Sequence, residues 1–321
     1  MRVVRPYVFV FAILVMALAP VSASGKVAGQ NGRIVYSRED FDNGLTIVYT
    51  ANPDGSHVRR LLPAGIGAGS PHWSPDGSKI AVGSTLDQPC CDVFPYSAVI
   101  VDPDSGSYRT LPMLSQHVLT FCTIWSPNAK RLACDGENDN DFSVNGVYTI
   151  RSSDGHGLRR VTNANGGDDI PIDYSPDGTK ILYGHTGPFH KCDSHSALYV
   201  VNTDGTHNHQ VTPAGFCDDD GSWSPNGRWI AFEHRGSLFA VHPGGTQLHK
   251  IPLETSSLNS AGDVVWSPNG RKISFLLFTR TAAGSQEGIA TANADGSNVQ
   301  WVTHSPTFDH EDDWGPHPLI N

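Results

Sequence analysis

The sequence has little that repeats at helical spacing. Apolar residues seldom recur every third or fourth position, which argues against a helical bundle. Only one long apolar run is present, Tyr7 to Leu18, inside the opening MRVVRPYVFVFAILVMALAPVSASG. It is shorter than the about 20 residues a bilayer span requires, and no later segment is long and apolar enough to cross. Enzyme signatures are missing too: there is no G-x-S-x-G elbow, phosphate-binding loop or dinucleotide fingerprint. HEDDW at 310–314 lacks the second histidine of a zinc-protease helix, and no C-x-x-C spacing supports a thiolate metal site. Basic residues are also few. Removing Arg2 and Arg5 with the opening segment leaves 20 against 32 acidic residues, a net charge near −12. A surface of that sign repels a phosphate backbone, so nucleic acid is not expected as a partner.

The opening segment itself reads as an export signal. Arg2 and Arg5 precede the apolar stretch, and Pro20 with the small residues Val21-Ser22-Ala23 follows it. This layout predicts a signal peptide over residues 1–23, and the lack of cysteine at the cleavage point argues against a lipid anchor. Residues 24–321 are then expected to form one secreted or periplasmic domain, with no transmembrane segment after signal cleavage.

What the chain has in quantity is glycine, 33 residues, and proline, 22. These separate short β-branched and aromatic runs, the pattern of an all-β chain. A motif recurs: HWSPDGSKIAV from His72, SWSPNGRWIAF from Ser222 and VWSPNGRKISF from Val265. Aligned on its aromatic residue, it gives Trp73, Trp125, Tyr174, Trp223, Trp266 and Trp314, at intervals of 52, 49, 49, 43 and 48 residues. Repeats of this period with several strands each are propeller blades. Strand A ends at the aromatic residue and the Pro-Asp-Gly segment turns the chain into strand B. A variable loop leads to strand C, and a second turn (NPDGS at 52, NTDGT at 202, NADGS at 293) leads to strand D. Proline presets the turn's φ, Asp accepts a local backbone hydrogen bond and Gly tolerates positive φ. The motif aromatics are expected to wedge between neighbouring blades, since no blade can form a core alone.

QNGRIVYS at 30–37 holds only the second half of a repeat, and FDHEDDWGP at 308–316 holds only the first. The expectation is a six-bladed β-propeller of four-stranded antiparallel blades. Its ring would be closed by the C-terminal strand A pairing with the N-terminal strand B, which leaves no open edge at the seam.

The WSPDG-x-x-I-A-F pattern followed by the D-G turn resembles the WD40-like PD40 repeats of TolB-type propellers, over residues 31–316. Ala129 for Gly, Tyr174 for Trp and the closing WGPHP depart from that pattern. TolB-type proteins carry an extra N-terminal α/β domain and the related prolyl oligopeptidases a hydrolase domain; residues 24–30 leave room for neither. The resemblance thus implies a bare propeller without inherited catalytic machinery.

Alternating strands put the A–B and C–D turns on one face and the B–C and D–A loops on the other. Arg33, Arg59, Arg60, Lys79, Arg131, Lys180 and Arg271 lie beside turns, whereas the loop face collects acids such as Glu39–Asp42, Asp135–Asp141 and Asp309–Asp313. Converging acid at a channel mouth focuses a negative potential. Asp169, Asp218 and Asp309 stand five residues before a motif aromatic, with Asp263 two places later in its own blade. With Asp168, Asp219, Asp220, His310 and Asp312 they are the candidate ligand-binding residues at the mouth. They would suit a protein, another cationic ligand or a hard cation such as Ca²⁺. The alternative is that they cap loops by accepting backbone N–H bonds. Asp169, Asp218 and Asp309 with His190 and His195 are candidate ligands for Ca²⁺ or another divalent metal; solvated loop histidines are the plainer reading.

Six cysteines in an exported chain are read first as disulfides. Repeat register predicts Cys192–Cys217, and favours Cys91–Cys122 with Cys90–Cys134. The expected function is non-catalytic binding of a protein or cationic ligand at the acidic face. The alternative is a metal-dependent polysaccharide lyase or hydrolase at the channel mouth, as in oligogalacturonide lyases of related architecture. A third reading is membership of a TolB-like envelope complex.

Overall fold

Six times the chain folds into an antiparallel four-stranded sheet, and each sheet is a blade. The computed structural model describes residues 29–86, 96–113, 115, 117–216, 218, 220–254, 258–281, 284–304 and 308–320. The expected signal peptide lies outside these residues. With strands lettered A to D from the axis outward, blade I comprises Gly67–Trp73, Ile80–Leu86, Tyr96–Val101 and Tyr108–Pro112. Blade II comprises Leu119–Trp125, Arg131–Glu137, Gly146–Arg151 and Arg159–Arg160. Blade III follows with Asp168–Tyr174, Lys180–Thr186, Ala197–Asn202 and His209–Gln210. Blade IV has Ser222–Trp223, Ile230–His234, Ser237–Val241 and His249–Lys250. Blade V has Leu258–Trp266, Lys272–Thr281, Gly284–Asn293 and Gln300–Trp301. Blade VI takes strand A from the C-terminal end, Asp309–Trp314, and the rest from the N-terminal end: Ile34–Asp40, Leu45–Ala51 and Arg59–Arg60. Ile34 lies opposite Trp314 and Arg38 opposite Asp309. Outside blade I every strand D has two residues. Short outer strands leave little unpaired edge for another chain to join.

The motif builds each A–B turn through its serine. Ser74 donates its hydroxyl to Asp76 at 2.7 Å and accepts from the Lys79 N–H at 2.9 Å. Ser126, Ser175, Ser224 and Ser267 accept the same backbone bond. All five serines are buried, so the hydroxyl satisfies a turn that water cannot reach. The closing WGPHP has Gly315 in that place because a Cβ there would stand 2.3 Å from the Trp73 ring. His317 then stacks on the same Trp73 ring, 5.2 Å away between centroids. Ala129 occupies the turn's glycine position with φ at +55°. A left-handed L-residue costs about 1–2 kcal/mol, partly offset by glycine's greater unfolded-state entropy. Ala129→Gly is therefore expected to stabilise the protein by roughly 0.5–1 kcal/mol, read as a higher urea midpoint at unchanged m-value.

The core is six clusters, each spanning two neighbouring blades. Trp266 joins blades IV and V beside Ala231, Leu238 and Phe275. Trp73 packs with Val35 and Val48 of blade VI, Trp223 with Leu182 and Val200 of blade III, Tyr174 with Val147 of blade II. Trp314 meets Ile289 and Val302 of blade V, and half-buried Trp125 packs on the cluster between blades I and II. The motif aromatics thus supply the apolar area that binds one blade to the next.

The disulfides correct the sequence reading. Cys122 is bonded to Cys134, so neither Cys91–Cys122 nor Cys90–Cys134 forms. Phe121 pairs with Asp135 and Ile124 with Ala133, so two residues of strand A oppose Cys134 across a β-bulge. Continued from the turn, where Trp125 pairs with Leu132, the register would have set Cys122 opposite Asp135; the bulge sets it against Cys134 instead. Cys192 is also disulfide-bonded. Its expected partner Cys217, like Cys90 and Cys91, lies outside the described residues.

Candidate functional site at the channel mouth

The six strands A converge on the axis and leave two stacked spaces. At the turn end a tight space of about 60 Å³ is walled by Trp73, Trp125, Asp173, Ser222 and Asp313. Here side chains one residue before a motif aromatic reach the next blade. Asp313 accepts the Trp73 N–H and Asp173 the Trp223 N–H, both at 2.8 Å, and Ser222 accepts that of Trp266 at 3.3 Å. These bonds tie blade to blade around the axis. At the loop end the space widens to about 320 Å³, bordered by Ser70, Phe121, Asp135, Asp220 and Asp263.

The acids five residues before the aromatic do not face this space freely. Asp169, Asp218 and Asp309 are 2%, 3% and 0% exposed. Each is matched by a basic side chain on strand B of its own blade. His185 Nδ1 lies 2.6 Å from Asp169, His234 Nδ1 lies 2.9 Å from Asp218, and Arg38 clasps Asp309 at 2.5 and 2.9 Å. A threonine of the preceding loop extends the chain of bonds: Thr162 donates to Asp169 at 2.6 Å and accepts the Val147 N–H at 2.8 Å. Leu198 and Ile289 N–H groups donate likewise to Thr212 and Thr303. Buried carboxylates in such networks hold strand A to strand B and each blade to the one before it.

Protonation follows from these contacts. The bond to Asp169 raises the His185 pKa. His190 is pushed up to about 9, chiefly by Glu137, whose Oε2 is 3.6 Å from its Nε2. Burial raises Asp218 to about 6 against the opposing pull of His234. Asp135 is half-buried and borders cavity space, and burial, with the neighbouring acids, pushes it up to about 8.

The other predicted residues scatter. Asp168 is buried and accepts from Asn145 Nδ2 at 2.7 Å and from the His190 N–H at 2.9 Å, a loop-capping role. His310 Nε2 lies 3.0 Å from Glu39, and exposed His195 lies beside Asp193. Asp219 and the Asp312 side chain lie outside the described residues. The five candidate metal ligands sit in separate pairings, and among the described residues no group of three or more His, Cys, Asp or Glu is arranged to hold a metal ion. Asp220 and Asp263 do reach the channel cavity. Both stand three residues before a motif aromatic, where strand A of blade V shifts register between Gly262 and Val265. Asp263 has φ at +46°, a conformation that Asp tolerates better than most residues and that re-aims its side chain. Sequence reasoning missed Asp135 and Phe121 as site residues. The available signal was a charged residue in the interior of strand RLACDGE, between its charged ends Arg131 and Glu137.

The model of PD40, the TolB beta propeller domain, matches residues 29–318. An uncharacterised protein of Agrobacterium fabrum is 23% identical over 219 residues, 64% of this chain and 68% of its own length. TolB from Acinetobacter baumannii superposes with a TM-score of 0.67 at 18% identity, covering 88% of this chain and 66% of that one. This chain thus spans just under two thirds of the Acinetobacter protein. A putative TolB from Agrobacterium tumefaciens gives 0.62 at 18% identity, over 91% and 94% of the two chains. An oligogalacturonate lyase from Vibrio parahaemolyticus gives 0.55 at 12% identity, over 88% and 79%. At such identities the structural likenesses show the fold alone. Matched by that model along residues 29–318, the chain belongs to the TolB beta propeller domain family.

Proposed function

We propose that this protein is an extracytoplasmic, non-catalytic propeller whose channel mouth binds a basic segment of another protein. The observation that carries the reading is the pair Asp220 and Asp263 at the rim of the wide end of the channel. Both border the space a ligand would enter, and Asp220 also accepts the Glu233 N–H at 3.1 Å. A channel lined by one sign of charge within low-dielectric walls concentrates cations at its mouth. Two aromatic pairs on the same face favour a protein over a bare cation. Phe41 and Phe308, 63% and 50% exposed, meet edge to face at 5.8 Å, and Phe189, 68% exposed, meets Phe142 at 4.9 Å. Exposed aromatics beside a charged centre are common anchors of protein interfaces. The disulfides support an oxidising compartment, in keeping with the export signal read from the sequence.

Pentalysine peptide serves as the probe. Calorimetry at low salt is expected to show binding that weakens as salt is raised. The double variant Asp220→Asn/Asp263→Asn should weaken it by about tenfold or more, the loss of two favourable charge contacts. Binding of pentalysine that the double variant leaves unchanged, or no binding at low salt, would overturn the proposal.

A further inference from the structure

Beside the channel, a second cavity of about 250 Å³ is lined by Met113, Leu119, Thr120, Phe121, Asp135, Glu137 and His190. Four segments build it, and the loop after strand D of blade I supplies Met113. Strand A of blade II supplies Leu119 to Phe121, and strand B supplies Asp135 and Glu137, which point to one face because they are two residues apart. The Pro188–His190 turn of blade III supplies His190. Each wall is held from behind. Phe121 lies against Gly83 of blade I so closely that a Cβ there would stand 1.8 Å from ring atom Cε2. Met113 Sδ accepts from the Thr120 N–H and hydroxyl, both at 3.2 Å. His190 has φ at +53° and is kept there by the bond from its N–H to Asp168.

The cavity is two-sided in chemistry. Met113, Leu119 and the Phe121 ring form an apolar wall, while Asp135, Glu137 and His190 bring hydrogen-bonding groups from the other side. Its charge differs from that of the acidic mouth. Burial pushes Asp135 up to about 8, which favours its protonated form at neutral pH, and the imidazolium of His190 offsets the Glu137 carboxylate. The site is therefore close to neutral in a protein of formal net charge −10. A cation gains no net attraction there, and a purely apolar ligand would strand three polar groups. A ligand that fits has an apolar face for the aromatic wall, hydroxyls for the polar wall and no net charge. The volume lies below the roughly 300–1,000 Å³ of sites for larger organic ligands, which suits a single ring.

From this geometry we infer that the cavity between Phe121 and His190 is a saccharide-binding site that takes one neutral pyranose ring of a glycan. The ring's C–H face rests on Phe121 and its hydroxyls bond to Asp135, Glu137 and His190. The Asp135 carboxylic acid donates a hydrogen bond, which its ionised form cannot. Burial is the largest cause of its raised pKa, reinforced by Glu137 on its own strand and by Asp168 and Asp169 from strand A of blade III, and opposed by His190 from blade III. Affinity should thus fall as pH rises through about 8, below the point near 9 at which His190 loses its proton.

The test titrates the whole exported protein with neutral trisaccharides, trigalacturonate and a glucosamine trimer, following heat and the Met113 methyl NMR signal. A neutral trisaccharide should bind, shift that methyl and lose about tenfold in affinity in Phe121→Ala. Between pH 7 and 8.5 the native protein should weaken by about fourfold, while Asp135→Asn, which keeps a donor and the side-chain shape, stays level. No neutral sugar moving the Met113 methyl, tighter binding of the charged oligomers, or loss of binding in Asp135→Asn at pH 7 would each overturn the assignment.

Discussion

Replacing Arg38 by Met is expected to cost about 3–5 kcal/mol, the penalty for leaving a buried carboxylate without its partner. Asp309 is fully buried, and Arg38 meets both of its oxygens from the adjacent strand of blade VI. The guanidinium also lies 5.5 and 5.1 Å from the centroids of Tyr36 and Tyr49, so its plane packs as well as pairs. This contact sits where the C-terminal strand joins the N-terminal one, so weakening it should loosen the junction of the two chain ends. Met keeps most of the packing and removes the charge. The companion variant Arg38→Met/Asp309→Leu removes both charges, and much of the lost stability should return, because paired buried ions are worth little more than apolar replacements. Urea unfolding of both variants decides it. A loss under about 1 kcal/mol in the single variant would show that water or another group takes over the arginine's role.

The second large effect is expected at the Cys122–Cys134 disulfide. The two cysteines are 12 positions apart, and closing a loop of that size removes unfolded-state entropy equivalent to about 3 kcal/mol. Cys122→Ser/Cys134→Ser should lower stability by about that amount in denaturant titrations. The double variant is preferable to a reductant, which would also attack the bond at Cys192. Because the bridge crosses the bulge beside Phe121 and Asp135, the variant should also perturb the neighbouring cavity, visible at the Met113 methyl. An unchanged denaturation midpoint would mean that the A–B hairpin of blade II already holds its register without the bond.

The propeller could be read from sequence because its signals are local. Ser-Pro-Asp-Gly segments specify turns through contacts within six residues, and the recurring aromatic marks the innermost strand of each blade. The pairing of 31–37 with 309–314 followed from the two halves of a split repeat. The candidate site was less legible, and the reason lies in strand register. Counting back from the aromatic picked out Asp169, Asp218 and Asp309, but the same count could not reveal that His185, His234 and Arg38 stand opposite them. Nor could it place the bulges of strand A, each of which shifts the side chains upstream of it to the other face. The misassigned disulfides have the same origin: one extra residue in strand A brings Cys122 to Cys134.

By itself the sequence determined the number of blades, the strands of each and the aromatic contacts between them. Repetition and turn chemistry act over short stretches of chain and need no knowledge of the rest. Only the tertiary structure decided which carboxylates are neutralised, which open onto the channel and which cysteines meet. Those outcomes depend on which atoms of distant strands come within hydrogen-bond reach, and a single bulge changes that.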